Sequence, residues 1–450
     1  MTPQERNTVK VNATTQLSRI KVSCDISGLT SRAGTALLAG LSDAIGLTES
    51  LVRGLAVHSR SVRHDPGRIV RDIAVMIADG GDALTDMGAL RDQEVLFGQV
   101  ASDATAYRAL ERLDAGALAH VRGSLAAARA RVWALIGAPK RIILDIDATL
   151  ICAHSEKEGA AGTYKRGFGF HPLLCFLAAT GEALAGILRP GNAGSNTAAD
   201  HIEVLDLALA QLPVGAAGPG VLVRCDSAGA THAFLDAVVA RGLSFSVGFD
   251  LTESVREACL AVAEDAWIAA TDSHGEPRDG AWVAELDLDL SAWPAGSRAI
   301  CRRERPHPGA QLSFTDVDGH RFQVLLTNQR GGRIARLEAL HRSRASIEDS
   351  IRCGKASGLR NLPFRSYPMN EAWLALVLAG CDLMAWTRML LLQGSELANC
   401  EPKRLRYRLL HVAGRVVRHA RGISLRLSRS WPWGETLVTA FARLQALPAG

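Results

Sequence analysis

The sequence lacks the features that mark secreted, zinc-binding and membrane proteins. Its nine cysteines are scattered and include no C-x-x-C pair, which argues against a disulfide framework or a zinc site and favours reduced thiols. Residues 1–6 are largely polar, so we expect no signal peptide. The most apolar stretch, 372–392, is interrupted by Asp382 and Arg388, which predicts a core helix rather than a membrane span. These features predict a cytoplasmic protein without a membrane partner.

Chain length and net charge give limited information about the number of domains and the class of partner. The chain has 450 residues, of which 48% are hydrophobic, so we expect two or three folded domains. The net charge of +5 is mildly basic and gives weak evidence for a polyanionic partner. A more specific hypothesis therefore depends on local patterns.

The amino-terminal part, residues 1–138, is predicted to be a small all-helical domain preceded by a short extended arm. One helix is expected to begin at Asp65-Pro66, where Asp65 can cap the first turn and Pro66 fits within it. A later polar helix carries Arg108 and Arg112 on one face. These arginines fit either a helix-turn-helix that contacts DNA or a solvated surface.

The rest of the chain is predicted to form an α/β core, an insertion and a basic tail. Residues 139–250 give three strands, a helix, and then strand, helix and strand, which is the order of a ribonuclease-H-like sheet. Residues 251–326 predict a mainly β insertion. Residues 327–398 are helical and would complete the core, and residues 399–450 form a basic, helical carboxyl-terminal region.

Two of the predicted strands end in acidic side chains. The first contains Asp145 and Asp147, which are two residues apart and therefore share a face. The second, 221–225, leads into Asp226 and a turn of small residues. Functional sites in open α/β sheets form at such strand ends. The simpler alternatives are a salt-bridged aspartate on the first strand and a helix-capping role for Asp226.

A later helix places four polar side chains at helical spacing. His341, Arg344, Glu348 and Lys355 are expected on one face. They fit either a salt-bridged surface or a metal-binding glutamate beside two phosphate-binding cations. Together, Asp147, Asp226 and Glu348 would offer the oxygen ligands that Mg²⁺ or Mn²⁺ prefers. Two such ions about 4 Å apart can activate an attacking oxygen and stabilise the leaving oxygen of a phosphodiester.

The chain resembles DDE transposases of bacterial insertion sequences. It is similar to those whose third acid lies in a helix with the signature Tyr-x2-Arg-x3-Glu-x6-Lys, which Arg344, Glu348 and Lys355 match while His341 takes the Tyr position. The similarity to insertion-sequence family 1380 covers most of the chain. It is carried by short motifs in a fixed order: Gly80-Gly81-Asp82, Ser102-Asp103-Ala104-Thr105, Asp145-Ile146-Asp147-Ala148-Thr149, His171-Pro172-Leu173-Leu174, Arg189-Pro190-Gly191-Asn192 and Arg224-Cys225-Asp226-Ser227.

The resemblance implies a function and a set of partners. It implies a cut-and-paste transposase that binds the terminal inverted repeats of its element and target DNA, and acts as a homodimer on paired ends at the bacterial nucleoid. It implies two divalent metal ions held by Asp147, Asp226 and Glu348, and it favours Asp147 over Asp145 as the first acid. His341 departs from the signature, although an imidazole could also contact phosphate. A nuclease that does not join DNA, and an inactive DNA-binding regulator, are the alternatives.

Two further groups of side chains are candidates for DNA contact. Related transposases stack a flipped base on an aromatic residue of the insertion, and Trp282 and Trp293 lie in the matching region, although core packing is the commoner fate of tryptophan. In the basic tail, Arg415 and Arg418 are expected to share a helical face with His411, where they would contact the DNA backbone or face solvent.

Overall fold

A computed structural model describes residues 26–56, 63–154, 156–306, 309, 316–317, 319–419 and 422–448. Most of the predicted amino-terminal arm lies outside these ranges. The described α-helices are α1 Ala36–Ala44, α2 Leu47–Leu55, α3 Pro66–Ala78, α4 Gly88–Arg91, α5 Glu94–Phe97, α6 Asp103–Glu111, α7 Ala115–Ile136, α8 Ala198–Leu209, α9 His232–Ala240, α10 Glu253–Ala261, α11 Ile334–Arg342, α12 Ser346–Gly354, α13 Tyr367–Trp386, α14 Pro402–Leu405 and α15 Gly434–Ala446.

Strands form one large mixed sheet and two small ones. The described strands are β1 Leu29–Thr30, β2 Ile142–Ala148, β3 Ile151–Cys152, β4 Ala161–Gly162, β5 Phe168–Phe170, β6 Leu173–Leu177, β7 Ala183–Ile187, β8 Val221–Cys225, β9 Ser244–Phe249, β10 Ile268–Thr271, β11 Pro277–Leu286, β12 Arg298–Glu304, β13 Asp316–Val317, β14 His320–Thr327, β15 Gly414–His419 and β16 Gly422–Leu427. The predicted α/β class is therefore confirmed.

The amino-terminal helices begin where the sequence places capping residues. The Asp65 carboxylate accepts a hydrogen bond from the Gly67 N–H at 2.8 Å, and Pro66 occupies the first position of α3. The Asp114 carboxylate likewise accepts from the Ala117 N–H at 2.8 Å, at the start of α7. Each cap satisfies an N–H that has no partner within the helix, which fixes the first turn.

The centre of the large sheet carries the acidic strands. Its order is β10-β11-β12-β14-β9-β8-β2-β6-β7, with β13 paired to β14. Strand β2 runs parallel to β8, and β8 runs parallel to β9, whereas β6 is antiparallel to β2. The carboxyl ends of β2 and β8 consequently meet at one edge of the sheet. That edge is where Asp147 and Asp226 lie.

The strands of the predicted insertion extend this same sheet. Strand β14 pairs antiparallel with β9, and β12, β11 and β10 follow in order. The segment also contains the helix α10, which we did not expect because its helical periodicity is weak. The Thr252 hydroxyl caps α10 by accepting a hydrogen bond from the Val255 N–H.

The apolar helix α13 forms part of the core. Together with the following π-helical turn it spans Tyr367–Leu391, which is long and apolar enough to cross a membrane, but 83% of its most apolar window is buried inside the protein. Its Asp382 accepts a hydrogen bond from the Arg129 guanidinium of α7 at 2.5 Å. Glu182, before β7, pairs with the same arginine at 3.1 Å. These fully buried ion pairs join the amino-terminal helices to the sheet and to α13.

The prediction of a helical tail is wrong for residues 414–419 and 422–427. These residues form the antiparallel strands β15 and β16, and β15 also pairs with β1. Two β-branched residues, Val416 and Val417, favour a strand at this position. Arg415 and Arg418 therefore lie three residues apart on a strand and point to opposite faces, so they do not share a helical face with His411.

Candidate active site

Four charged side chains occupy neighbouring positions on β2, on β8 and at the residue that follows β8. In the parallel register Asp145 lies opposite Arg224, and Asp147 and Asp226 each follow two residues later. Because side chains two residues apart in a strand share a face, both pairs lie on the same side of the sheet. The first pair is buried, and the second lies nearer the exposed edge.

Arg224 makes a bidentate ion pair with the carboxylate of Asp145. The arginine Nε and Nη2 atoms donate to the two carboxylate oxygens at 2.6 and 2.7 Å, and both side chains are 1% exposed. Arg224 Nη1 also donates to the Ser343 hydroxyl at 2.6 Å and to the Leu340 carbonyl. The pair therefore fixes the segment after α11 against the sheet. The sequence motif contained Arg224, but we did not assign it a role, although its position two residues before Asp226 was the available signal.

Asp147 and Asp226 converge on Arg344. The Arg344 Nη2 atom lies 3.3 Å from an oxygen of Asp147 and 4.0 Å from an oxygen of Asp226. The Asp226 carboxylate also accepts a hydrogen bond from the Ala228 N–H at 3.1 Å, so the capping role is present alongside the ion pair. The two carboxylates therefore lie close enough together to interact with the same guanidinium group.

Glu348 lies in the first turn of α12 and faces the same region. Burial raises the pKa of Asp147 to about 6, although the Arg344 charge opposes that rise. The charges of Asp226 and Glu348 raise the Asp147 pKa further, which shows that all three carboxylates are within electrostatic range. A cavity of about 460 Å³ is lined in part by Asp226, Arg344 and Glu348.

Asp147, Asp226 and Glu348 carry the type of ligand atom that divalent cations bind. Carboxylate oxygens are the ligands of Mg²⁺ and Mn²⁺, and Asp147 and Asp226 already share the positive charge of Arg344. Among the described residues, no three histidine, cysteine or acidic side chains are close enough to hold one ion. Metal binding by all three acids would thus need movement of the carboxylates and of the Arg344 side chain.

The helix predicted through residues 341–355 is divided in the structure. A 3₁₀ turn, Ser343–Ala345, separates α11 from α12, and a π-helical turn, Lys355–Leu359, follows α12. At this division the Leu340 carbonyl accepts hydrogen bonds from the Arg224 guanidinium and from the Ser343 hydroxyl. Arg344 is therefore directed at the acids from a turn rather than from a continuous helical face.

His341 lies beside the sheet. Its Nδ1 atom is 2.9 Å from the Ser246 hydroxyl, and it lines the same cavity as Glu348. Burial, reinforced by the charges of Arg344 and Arg224, lowers the His341 pKa to about 3. The imidazole is consequently neutral at physiological pH and can contact a phosphate only as a hydrogen-bond donor.

Lys355 is half-buried at the end of α12. Burial lowers the pKa of this ammonium, and the nearby charges of Lys165 and Arg360 lower it further. Lys165 belongs to the loop between β4 and β5, so Lys355 faces the small sheet that follows β2. This places a lysine of the signature on the same side of the molecule as the end of the Asp147 strand.

The remaining predicted DNA-contact residues lie on other surfaces. Arg108 and Arg112 are exposed on or next to α6 and line a cavity of about 720 Å³ that contains none of the three acids. The Arg108 guanidinium folds back on its own helix and donates to the Ala104 carbonyl at 3.1 Å. Arg415 and Arg418 are exposed on β15.

The two tryptophans of the insertion are engaged in ring contacts. Trp293 stacks on the His232 ring with centroids 4.0 Å apart. Trp282 has the guanidinium groups of Arg303 and Arg305 at 5.3 and 5.4 Å from its ring centroid. Both tryptophans are half-buried, and these contacts stabilise the sheet extension.

Comparison with known proteins relates the chain to transposases. A search of curated proteins finds no match. Among solved structures, the chain is similar to the piggyBac transposase in a synaptic complex with hairpin DNA, with 10% sequence identity and a TM-score of 0.45 over 84% of this chain and 80% of that one. The family model described as "Transposase DDE domain group 1" matches residues 12–449. The chain therefore belongs to this family and is a DDE transposase.

Proposed function

We propose that this transposase binds the terminal inverted repeats of a bacterial insertion sequence, cleaves the DNA there and joins the freed end to target DNA. The observation that carries the proposal is the meeting of Asp147 and Asp226 at adjacent strand ends, with Glu348 within electrostatic range. Clustered acids beside arginine and lysine are what in-line phosphoryl transfer requires. Cut-and-paste transposition combines two such steps.

A ribonuclease-H-like core is the fold that we propose for the acidic strands. The order β7-β6-β2-β8-β9, with β2, β8 and β9 parallel and β6 antiparallel to β2, supports it. The helices α8 and α9 connect the strands in the predicted order. The division at residues 138, 250, 326 and 398 remains a prediction, since buried residues from Leu37 to Ala440 form one continuous hydrophobic cluster.

We propose that Asp147, Asp226 and Glu348 hold two Mg²⁺ or Mn²⁺ ions. When bound, the metal would supply activation of the attacking oxygen and neutralisation of charge on the leaving oxygen. Arg344 and Lys355 would hold phosphates of the DNA, and neutral His341 would donate one hydrogen bond. Arg108, Arg112, Arg415 and Arg418 would contact the backbone farther from the cut.

The assignment to insertion-sequence family 1380, the homodimer on paired ends and the nucleoid location also remain parts of the proposal. The first rests on the ordered motifs of the sequence, which include His171-Pro172 and Arg189-Pro190. Dimerisation would be measured by light scattering of the protein with and without end DNA. A protein that stays monomeric on paired ends would contradict it.

The experiment that tests the function uses labelled DNA carrying the sequences that flank the gene. The purified protein is incubated with this DNA and with Mg²⁺, Mn²⁺ or EDTA, and a supercoiled target is added to detect joining. Metal-dependent cuts at the element ends, followed by joined products, are the expected result. Cuts without joining would favour a nuclease, and binding without cuts in either metal would favour a regulator.

A further inference from the structure

A short hairpin stands directly beyond the strand that carries Asp147. Strand β3 continues from β2 and pairs with β5, and β4 pairs with β5 on its other side. The tip, residues 163–167, is closed by hydrogen bonds from the Thr163 N–H to the Gly167 carbonyl at 2.9 Å and from the Arg166 N–H to the Thr163 carbonyl at 3.0 Å. The hairpin is therefore a defined structure at the edge of the sheet where the acids lie.

The tip displays one aromatic ring and two cations. Tyr164 is 73% exposed, and the Lys165 ammonium lies 5.7 Å from its ring centroid. Lys165 and Arg166 are exposed as well. Arg166 has φ of 59°, and it is the one non-glycine residue with positive φ in the described ranges. A left-handed arginine is costly, and such strain is found where the backbone has to present particular side chains.

Contacts with its surroundings place the tip near the active site. The Tyr164 ring centroid lies 6.1 Å from that of His171. His171 is three residues before Leu174, which pairs with Asp147, so His171 is displaced from Asp147 by roughly 10 Å along the strand direction, and the Tyr164 ring lies next to it. A displacement of roughly 10 Å corresponds to about three base steps of DNA. Lys165 also lies within electrostatic range of Lys355.

We propose that this hairpin tip binds the element end next to the cut, with Lys165 and Arg166 on backbone phosphates and Tyr164 stacked on an unpaired base. The inference rests on the proposed function. Phosphates attract clustered cations irrespective of sequence. An exposed aromatic ring stacks on a base that is not enclosed between its neighbours, as occurs at a melted or cut end.

The phosphate contacts are tested by the salt dependence of binding to the flanking DNA in EDTA. The variant K165Q/R166Q should lower the slope of log Kd against log salt concentration by roughly two, since each phosphate contact contributes about 0.9. The matched control is K140Q/R141Q, which removes the same exposed Lys-Arg pair just before β2, at the opposite end of that strand. An unchanged slope for K165Q/R166Q, or an equal change in both variants, would overturn the phosphate contacts.

The stacking is tested with 2-aminopurine placed singly within three positions of the cut. Binding of the wild-type protein should quench its fluorescence at one position, and Y164A should abolish that quenching and weaken binding roughly tenfold, whereas Y164F should retain both. Equal quenching by Y164A and the wild type would overturn the stacking. If the proposed function itself were wrong, the wild-type protein would show no specific binding to the flanking DNA. That result differs from specific binding without a role for Tyr164, so failure of the function and failure of the stacking can be distinguished.

Discussion

Arg224 binds both oxygens of Asp145, at 2.6 and 2.7 Å, two residues before Asp147 and Asp226 on their strands. Two aspartates on one face of β2 thus have different environments. Asp145 is fully buried and neutralised by an arginine of the adjacent strand, while Asp147 faces Arg344 near the exposed edge. The Asp145–Arg224 pair has a structural role, whereas Asp147 is suited to bind a ligand.

Substitution of Asp145 should act on stability. D145N leaves Arg224 buried without its counter-ion, so the free energy of unfolding should fall by about 3–5 kcal/mol. The double variant D145L/R224M removes both charges and should recover much of that loss. Thermal and urea unfolding measure the effect. If D145N unfolded like the wild type, Asp145 would not be a structural partner of Arg224.

Substitution of Asp147 should have the opposite effect on stability. The pKa of this carboxyl is about 6 in the folded protein and 3.8 ordinarily. Between these two pH values, Asp147 is therefore more often protonated in the folded state than in the unfolded state. The Asp147 contribution to stability therefore falls as the pH rises from about 4 to 6. In EDTA at pH 8, D147N should be more stable than the wild type by about 3 kcal/mol, and at pH 4 the two should be similar.

The control for this pH dependence is D236N, which changes an exposed aspartate of α9. It should leave the free energy of unfolding unchanged at both pH values. A D147N protein that is destabilised at pH 8 would mean that the Arg344 ion pair outweighs the burial of Asp147.

Removal of Arg344 should strengthen metal binding in the absence of DNA. Its guanidinium is 3.3 Å from Asp147 and 4.0 Å from Asp226, and so it repels a cation that approaches them. R344Q should bind Mn²⁺ roughly tenfold more tightly, because one nearby positive charge is removed and the acids remain. Titration calorimetry measures the affinity, with D226N as the control that loses it. Weaker Mn²⁺ binding by R344Q would show that the arginine organises the acids instead of competing at them.

Lys355 should contribute one phosphate contact. K355Q should reduce the slope of log Kd against log salt by about 0.9 on end DNA, and K140Q, at the opposite end of β2, should not. The comparison is made in EDTA so that cleavage does not interfere. An identical slope for K355Q and the wild type would remove this lysine from the DNA-binding surface.

The sequence was most informative where periodicity alone determines structure. Asp147 and Asp226 could be placed at strand ends because apolar strands precede both, and α3 begins at Pro66 as the Asp65-Pro66 pair predicts. The division between α11 and α12 could not be foreseen, because the residues there contact Arg224, which is 116 residues from Leu340 in the sequence. The strands β15 and β16 were missed because arginines at positions 415 and 418 fit a helical face as well as a strand.

The most direct test of the central claim compares cleavage of end DNA in Mg²⁺ by the wild type, D226N and E348Q. If the three acids form one metal site, each variant should lose cleavage by roughly a thousandfold or more, while its affinity for end DNA in EDTA stays within about threefold of the wild type. Cleavage by E348Q at a rate near that of the wild type would contradict the account, because Glu348 would then lie outside the site.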